Sequence, residues 1–435
     1  MAYKINDLAG LGRQFNATDI IEVSANGAGS YKVNIGDFTL GGNNYIFVNA
    51  NGTPVENGQA VRDAYTAAIA MTPNGVAKSA TNRVVILLSP GYYNFNENVS
   101  GAFTINQSFI DFESLSGVPD VYFTSIQVYS IGSGINVRIS GIDTTKNSWL
   151  PTGPFVVASE GGVNENIYIK DCVGGKYSFG AFSPGFVGTI DTCVGGDYSF
   201  GYTNDFVPVP WIMPLLGTNI NNYGTYKNCI GGNFSFLSSQ ASIGFGIVSN
   251  YGTIDNCRAG GQSFVYSQND SVNQVGTISN CVSTNMTSFC VSTGAFSGAE
   301  NSGTIFNCRG RDFSFVLVSE ITSSATNNGT ILNCESTSID GCFVSNIVNY
   351  GGANFGKISN CTAYNSIGAF CGSTGMNQGI ISNCISQQQS FCCDTPSGIM
   401  NDIYRCTMTG DTFIVGATGG GRVVLGIDTT GVVNY

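Results

Sequence analysis

Gly252-Thr253-Ile254-Asp255-Asn256-Cys257 is the stretch whose reading decides the fold, because it recurs down the chain. It returns as GTYKNC ending at Cys229, GTISNC at Cys281, GTIFNC at Cys308, GTILNC at Cys334, GKISNC at Cys361 and GIISNC at Cys384. Weaker copies end at Cys172, Cys193 and Cys406, and the ten are spaced 21, 36, 28, 24, 27, 26, 27, 23 and 22 residues apart. Each is followed by a phenylalanine: Phe179, Phe200, Phe236, Phe264, Phe315, Phe391 and Phe413 seven residues on, Phe289, Phe343 and Phe370 eight or nine on. A period this long, carried by a β-prone phrase, belongs to a solenoid whose coils bury their apolar faces against one another.

One coil can be laid out from residues 252–266, GTIDNCRAGGQSFVY. Side chains alternate across a strand, so Ile254 points inward and Asp255 outward. Asn256 falls at a sharp bend, since asparagine tolerates left-handed backbone angles better than other non-glycine residues. Beyond it Cys257 points in, Arg258 out and Ala259 in, and Gly260-Gly261 makes the next corner. Phe264 is expected to anchor a third strand, after which a variable loop returns to the next copy. Glu335 out with Ser336 in, and Thr362 out with Ala363 in, keep the same register. Rungs ~4.8 Å apart give ten copies a length of roughly 50 Å. Stacking sets like on like, so Asn228, Asn256, Asn280, Asn307, Asn333, Asn360 and Asn383 are expected to form a hydrogen-bonded ladder. Asp171, Thr192 and Arg405 replace the asparagine at the ends, as capping repeats require.

The rest of the chain divides around this array. Residues 1–40 form a small module with two β pieces about a glycine-rich turn. Residues 41–165 hold a strand at Asn43–Ala50, a helix at Val55–Met71 and the first irregular coils, which include the apolar run Arg83–Tyr93. Val61, Ala64, Tyr65, Ala68 and Ile69 have the spacing of a buried helical face, suited to covering the open first rung. Regular rungs occupy 166–415, and 416–435 reads as a closing β cap with a hairpin around Asp428–Gly431.

Composition excludes several functions. Formal net charge is −11, from 17 Lys+Arg against 28 Asp+Glu, and the cations are scattered singly, so nucleic acid is not the expected partner. No apolar run of eighteen residues is present to insert in a membrane. The opening MAYKINDLAG lacks an apolar signal segment, so synthesis in a cytoplasm with reduced thiols is expected. The chain has no histidine, which removes histidine-dependent triads and most zinc sites. Of the 15 cysteines, ten sit in the repeat phrase. Their rung-to-rung spacing exceeds disulfide Cβ distances, so packed, reduced thiols are expected rather than disulfides or a metal ladder. No cofactor is assigned.

The repeats resemble the single-stranded right-handed parallel β-helix of the pectin and pectate lyase superfamily, over about residues 40–415. The stretches NDLAG, TDIIEVSANGAGSY, NYIFVNANGTPVENGQAVRDAYTAA and VILLSPGYYNF, with the CVGGxYSFG rungs at Cys172–Gly180 and Cys193–Gly201, resemble bacteriophage tail-fibre or tailspike proteins. That resemblance implies a virion protein made in the host cytoplasm. It further implies a homotrimer joined to other tail or baseplate proteins, which binds or degrades bacterial surface polysaccharide.

The candidate contact residues lie in the longest insertion, Gly201–Tyr223, where Tyr202, Phe206, Trp211 and Met213 form an apolar loop that must be covered by a neighbouring subunit or a glycan. No catalytic residue is assigned. Asp191 and Asp255 share one outward position but Lys227 lies between them, and Asp197 and Asp312 are several rungs apart. No 5–9 Å carboxylate pair follows. The expected function is host-surface glycan attachment. A glycan depolymerase on the same scaffold, or a purely structural virion spacer, are the alternatives.

Overall fold

In the computed structural model the repeats stack into a parallel β-solenoid. The structure describes residues 44–95, 103–131, 135–146, 155–160, 164–182, 186–203, 220–239, 247–268, 270–285, 289–293, 298–311, 315–318, 325–337, 343–346, 352–364, 370, 376–386 and 403–408, with isolated strands at 2–4, 20–24, 30–34, 423–424, 426–428 and 431–433. Near the N-terminus Ala2–Lys4 pairs parallel with Ile20–Ser24, which pairs antiparallel with Ser30–Asn34.

The strand before each asparagine bend belongs to one continuous sheet. Thr225–Lys227, Thr253–Asp255, Thr277–Ser279, Thr304–Phe306, Thr330–Leu332, Lys357–Ser359 and Ile380–Ser382 pair parallel in unbroken register. The sheet starts well before the first repeat phrase, with Tyr45–Val48, Val84–Leu88, Ile110–Ser114, Val137–Ser140, Asn164–Lys170 and Phe186–Asp191. A second sheet carries the short strands after the bend, such as Arg258–Ala259 and Val282–Ser283, and closes with the antiparallel hairpin Gly426–Asp428 and Gly431–Val433. A third holds Tyr202–Thr203, Ser238–Ser239, Tyr266–Ser267, Val291–Ser292, Val316–Val318 and Val344–Asn346.

The inward rows form one core. Ile254, Ile278, Ile305, Ile331 and Ile358 are fully buried, and so are the cysteines one strand on. All eleven described cysteines are buried and free. Each repeat thiol donates to the carbonyl two residues before it, at 3.0 Å for Cys281. Burial pushes the Cys193, Cys257, Cys281, Cys334, Cys361 and Cys384 thiols well up, so these members are neutral space-fillers. The phenylalanines stack face to face from Phe179 to Phe370, with ring centroids 4.6–5.2 Å apart.

Phe264 does not sit in the third strand, contrary to expectation. It lies in the corner before it, at φ 60, with Val265 at φ 70, and the strand begins at Tyr266. Left-handed geometry costs a non-glycine residue about 1–2 kcal/mol. Burying the ring contributes about 1.5–3 kcal/mol, enough to hold the corner.

The helix runs Pro54–Ala70. Thr53 and Glu56 form a capping box, and Lys78 Nζ donates to the carbonyls of Ala68, Ile69 and Met71 at the other end. Val61, Ala64, Tyr65 and Ala68 face the first coils, where Tyr65 packs edge-on to Phe103 at 5.5 Å. Ile69 is 42% exposed, a correction to the expected face. At ~100° per residue it falls about 80° from Val61, at the margin of a stripe completed instead by Asn57 and Gly58. In the Arg83–Tyr93 run Val84, Ile86 and Leu88 are sealed while Val85 and Leu87 are half-buried, so only one face is core.

Candidate functional site

What makes one side of the solenoid usable is a second asparagine row that the repeat phrase does not contain. Ahead of each phrase lies another short strand, such as Val248–Asn250, Ser271–Asn273 and Ala299–Asn301, each paired to the next. Its last residue points into the core. Asn222, Asn250, Asn273, Asn301, Asn327, Asn354 and Asn377 are all essentially sealed from solvent. Each side-chain amide of the first six donates to the carbonyl oxygen of the next asparagine, at 2.7–2.9 Å. Chained amides satisfy one another where water cannot reach them.

The bend row behaves differently. Asn228, Asn256, Asn280, Asn307, Asn333, Asn360 and Asn383 all have φ between 50 and 55, as a left-handed bend requires. Asn256 donates to Asn228, Asn307 to Asn280 and Asn360 to Asn333, but Asn228 turns to Asp191 and Asn280 to Asp255. These bonds lie at the exposed rim and point to the preceding rung, whereas those of the buried row point to the following one.

The glycine that opens each clear phrase lets the rungs close up. A Cβ on Gly252 would meet Gly224 O at 2.1 Å, and one on Gly303 would meet Gly276 O at 2.2 Å. The outer face of the first sheet is therefore free of side chains along this line, and beside it the outward residues form straight columns.

At the N-terminal end of that face a groove of ≈ 770 Å³ opens, lined by Glu113, Asn136, Arg138, Ser140, Asn166, Tyr168, Lys170, Thr189, Tyr223 and Thr225. Strand register explains the gathering: Arg138, Tyr168, Thr189 and Thr225 succeed one another in one column. Glu113, Ser140, Lys170, Asp191, Lys227 and Asp255 form the adjacent one. Tyr223, 46% exposed, stacks on Tyr251 with centroids 4.8 Å apart and forms the opposite wall. Lys227 pairs with Asp191 at 3.1 Å and Lys170 with Asp171 at 3.3 Å.

Burial opposes charge on Asp191, but hydrogen bonds from Asn228, Lys227 and Thr192 outweigh it and hold its carboxyl below the usual range. Glu113 is pushed up, first by burial and then by Asp111, with Arg138 working the other way. Glu113 and Asp191 are three rungs apart, about 14 Å at the strand spacing. Glycosidase carboxylate pairs stand ~5–9.5 Å apart, so these two do not form one. Among the described residues no three potential ligands gather to hold a metal ion.

Of the contact residues expected from the sequence, Phe206, Trp211 and Met213 lie outside the described residues. Tyr202 is placed in the third sheet, paired with Ser238, away from the sheet that carries the groove. The groove residues Glu113, Arg138, Tyr168, Lys170 and Tyr223 were not expected. Their only trace is alternation, as in Asn166-Ile167-Tyr168-Ile169-Lys170, where the apolar residues are core. Compared with protein-family models, with curated proteins and with solved structures, the chain matches none significantly.

Proposed function

We propose that this solenoid is a phage-type virion appendage that attaches to a bacterial surface polysaccharide through the groove on its first sheet. The observation that carries the reading is the lining itself. Two tyrosines supply apolar ring area, while Arg138, Lys170, Asn136, Asn166 and two threonines supply donors and acceptors around it. Planar aromatic faces set among convergent polar groups are what a polyhydroxylated ring needs. The resemblance of the entry segment and the first two rungs to tail-fibre and tailspike proteins supports the virion setting, the pectate-lyase-type helix and a homotrimer. Separation of the carboxylates favours attachment over hydrolysis.

The test is a bacterial-polysaccharide array probed with the purified full chain. Binding to at least one polysaccharide is expected, with loss of about 1–3 kcal/mol for Tyr168→Ala. An array without hits, or a Tyr168→Ala variant that binds as well as the parent, overturns the reading. Release of reducing ends during binding would turn attachment into depolymerisation.

A further inference from the structure

The groove does not end where its walls do. Thr189 and Thr225, which line it, are the first two threonines of the column begun by Arg138 and Tyr168, which continues in register through Thr253, Thr277, Thr304 and Thr330. All six threonines are half-buried on the outward side of their strands. Among the described residues none of these hydroxyls is hydrogen-bonded to another protein group. The neighbouring polar groups differ in this: Ser279 donates to Asp255 at 2.7 Å and Asn328 to Glu300 at 2.9 Å. Along one edge of the column stand the stacked rings of Tyr223 and Tyr251, and along the other Phe306 lies beside Ser279 in register. Because the glycine line is bare, nothing rises between the tyrosine wall and the threonines.

We infer that the groove is the entry to a linear track, and that its ligand is a neutral, unbranched polysaccharide lying along the solenoid axis over Thr225–Thr330; this rests on the attachment reading above. Direction follows from the arrangement. Free hydroxyls repeat every ~4.8 Å in a straight line, so a chain of sugar rings laid along them meets equivalent partners rung after rung. A ligand crossing the face would meet one or two and then leave the sheet. Neutrality follows from the charges beside the track. Arg138, Lys170 and Lys227 are outnumbered by Glu113, Asp171, Asp191, Asp255 and Glu300, and Lys227 and Lys170 are already paired with Asp191 and Asp171. No positive excess is left to attract a uronate or phosphate polymer, in keeping with the −11 of the whole chain. Over Thr225 and Thr253 branches would collide with Tyr223 and Tyr251 on one side and with Lys227 and Asp255 on the other, and over Thr304 and Thr330 with Phe306 and Leu332.

The experiment uses the full chain and the polysaccharide that the array selects, cut by partial acid hydrolysis and fractionated by length. Calorimetric affinity should rise at least about tenfold between oligomers that fill only the groove and those long enough to reach Thr330. A Thr277→Val/Thr304→Val variant keeps the β-branched shape and removes two hydroxyls. It should lose most of that gain while short-oligomer affinity stays unchanged, and Thr277→Ser/Thr304→Ser should restore it. Affinity for long oligomers should change less than about twofold between low and high salt. An affinity that stops rising once the groove is filled, a valine variant that keeps the gain, or selection of an acidic polymer with steep salt dependence overturns the track and leaves the groove standing. Failure of every length to bind overturns both.

Discussion

Asn250 and Asn256 are six residues apart on one rung, yet the first is sealed in the core and the second is exposed at a bend. The exposed one belongs to the conspicuous repeat phrase. Its requirement is conformational, with φ near 50, and its hydrogen bonds are interrupted wherever an aspartate offers a better acceptor. The buried one has no bend to make. Its requirement is that every amide between Asn222 and Asn377 finds its neighbour, because no water is available to replace a missing member. Visibility in sequence and energetic weight therefore belong to different rows.

This contrast can be broken in a definite order. Asn301→Leu strands the donor of Asn273 and the acceptor of Asn327, so it should cost about 2–5 kcal/mol. Local hydrogen exchange around that rung should show it, since coils of a solenoid can open separately. Asn307→Leu should cost less, about 1–2 kcal/mol, for the left-handed bend it must hold. Asn307→Gly should recover most of that loss, and if it does not, the bend row acts as a true ladder after all. Equal losses at Asn301 and Asn307 would erase the distinction between the rows.

A third substitution asks what an unmatched polar group does in the same core. Tyr226 takes the place of the row's isoleucine, and its buried hydroxyl has no hydrogen-bond partner among the described residues. Tyr226→Phe should raise stability by about 1 kcal/mol in a thermal melt, whereas a loss would mean the hydroxyl is satisfied. The smallest effect is expected at the groove. Glu113 has a raised carboxyl, so its ionisation opposes folding: there is no penalty below the ordinary carboxylate value, and the full penalty applies above the raised one. Glu113→Gln should melt slightly higher than the parent at neutral pH and alike in acid. Asp191 has the opposite sign, stabilising above the ordinary value and losing that contribution as pH falls through its lowered one. A Glu113→Gln melt that is unchanged at every pH would deny the burial of that carboxylate.

Much of the fold was legible in the sequence. Ile254, Asn256, Cys257, Arg258 and Ala259 point as alternation requires, because a strand fixes the side of every second residue once one bend is located. The left-handed corner at Phe264 was not legible, since an aromatic residue is the least expected occupant of positive φ. Six of the seven buried asparagines, all but Asn273, were present as Asn-x-Gly leading into the phrase, as in Asn250-Tyr251-Gly252 and Asn301-Ser302-Gly303. A turn signal explains that pair of residues equally well, and only the stacked register separates the two readings. The groove was hidden for a related reason. Arg138, Tyr168 and Thr189 become neighbours through pairing of the irregular early coils, whose spacing no repeat announces.

The opposed directions of the two amide rows have an electrical consequence. A file of side-chain amides all oriented one way adds its small dipoles along the axis, as peptide units do in a helix. From Asn222 to Asn377 that file is unbroken and runs through a medium that screens it poorly. The bend row, with Asn256, Asn307 and Asn360 oriented the other way, sets a counter-field alongside. Exposed to water and interrupted at Asp191 and Asp255, that row cancels only part of the buried file, so a residual dipole runs along the axis with its positive end toward Asn377.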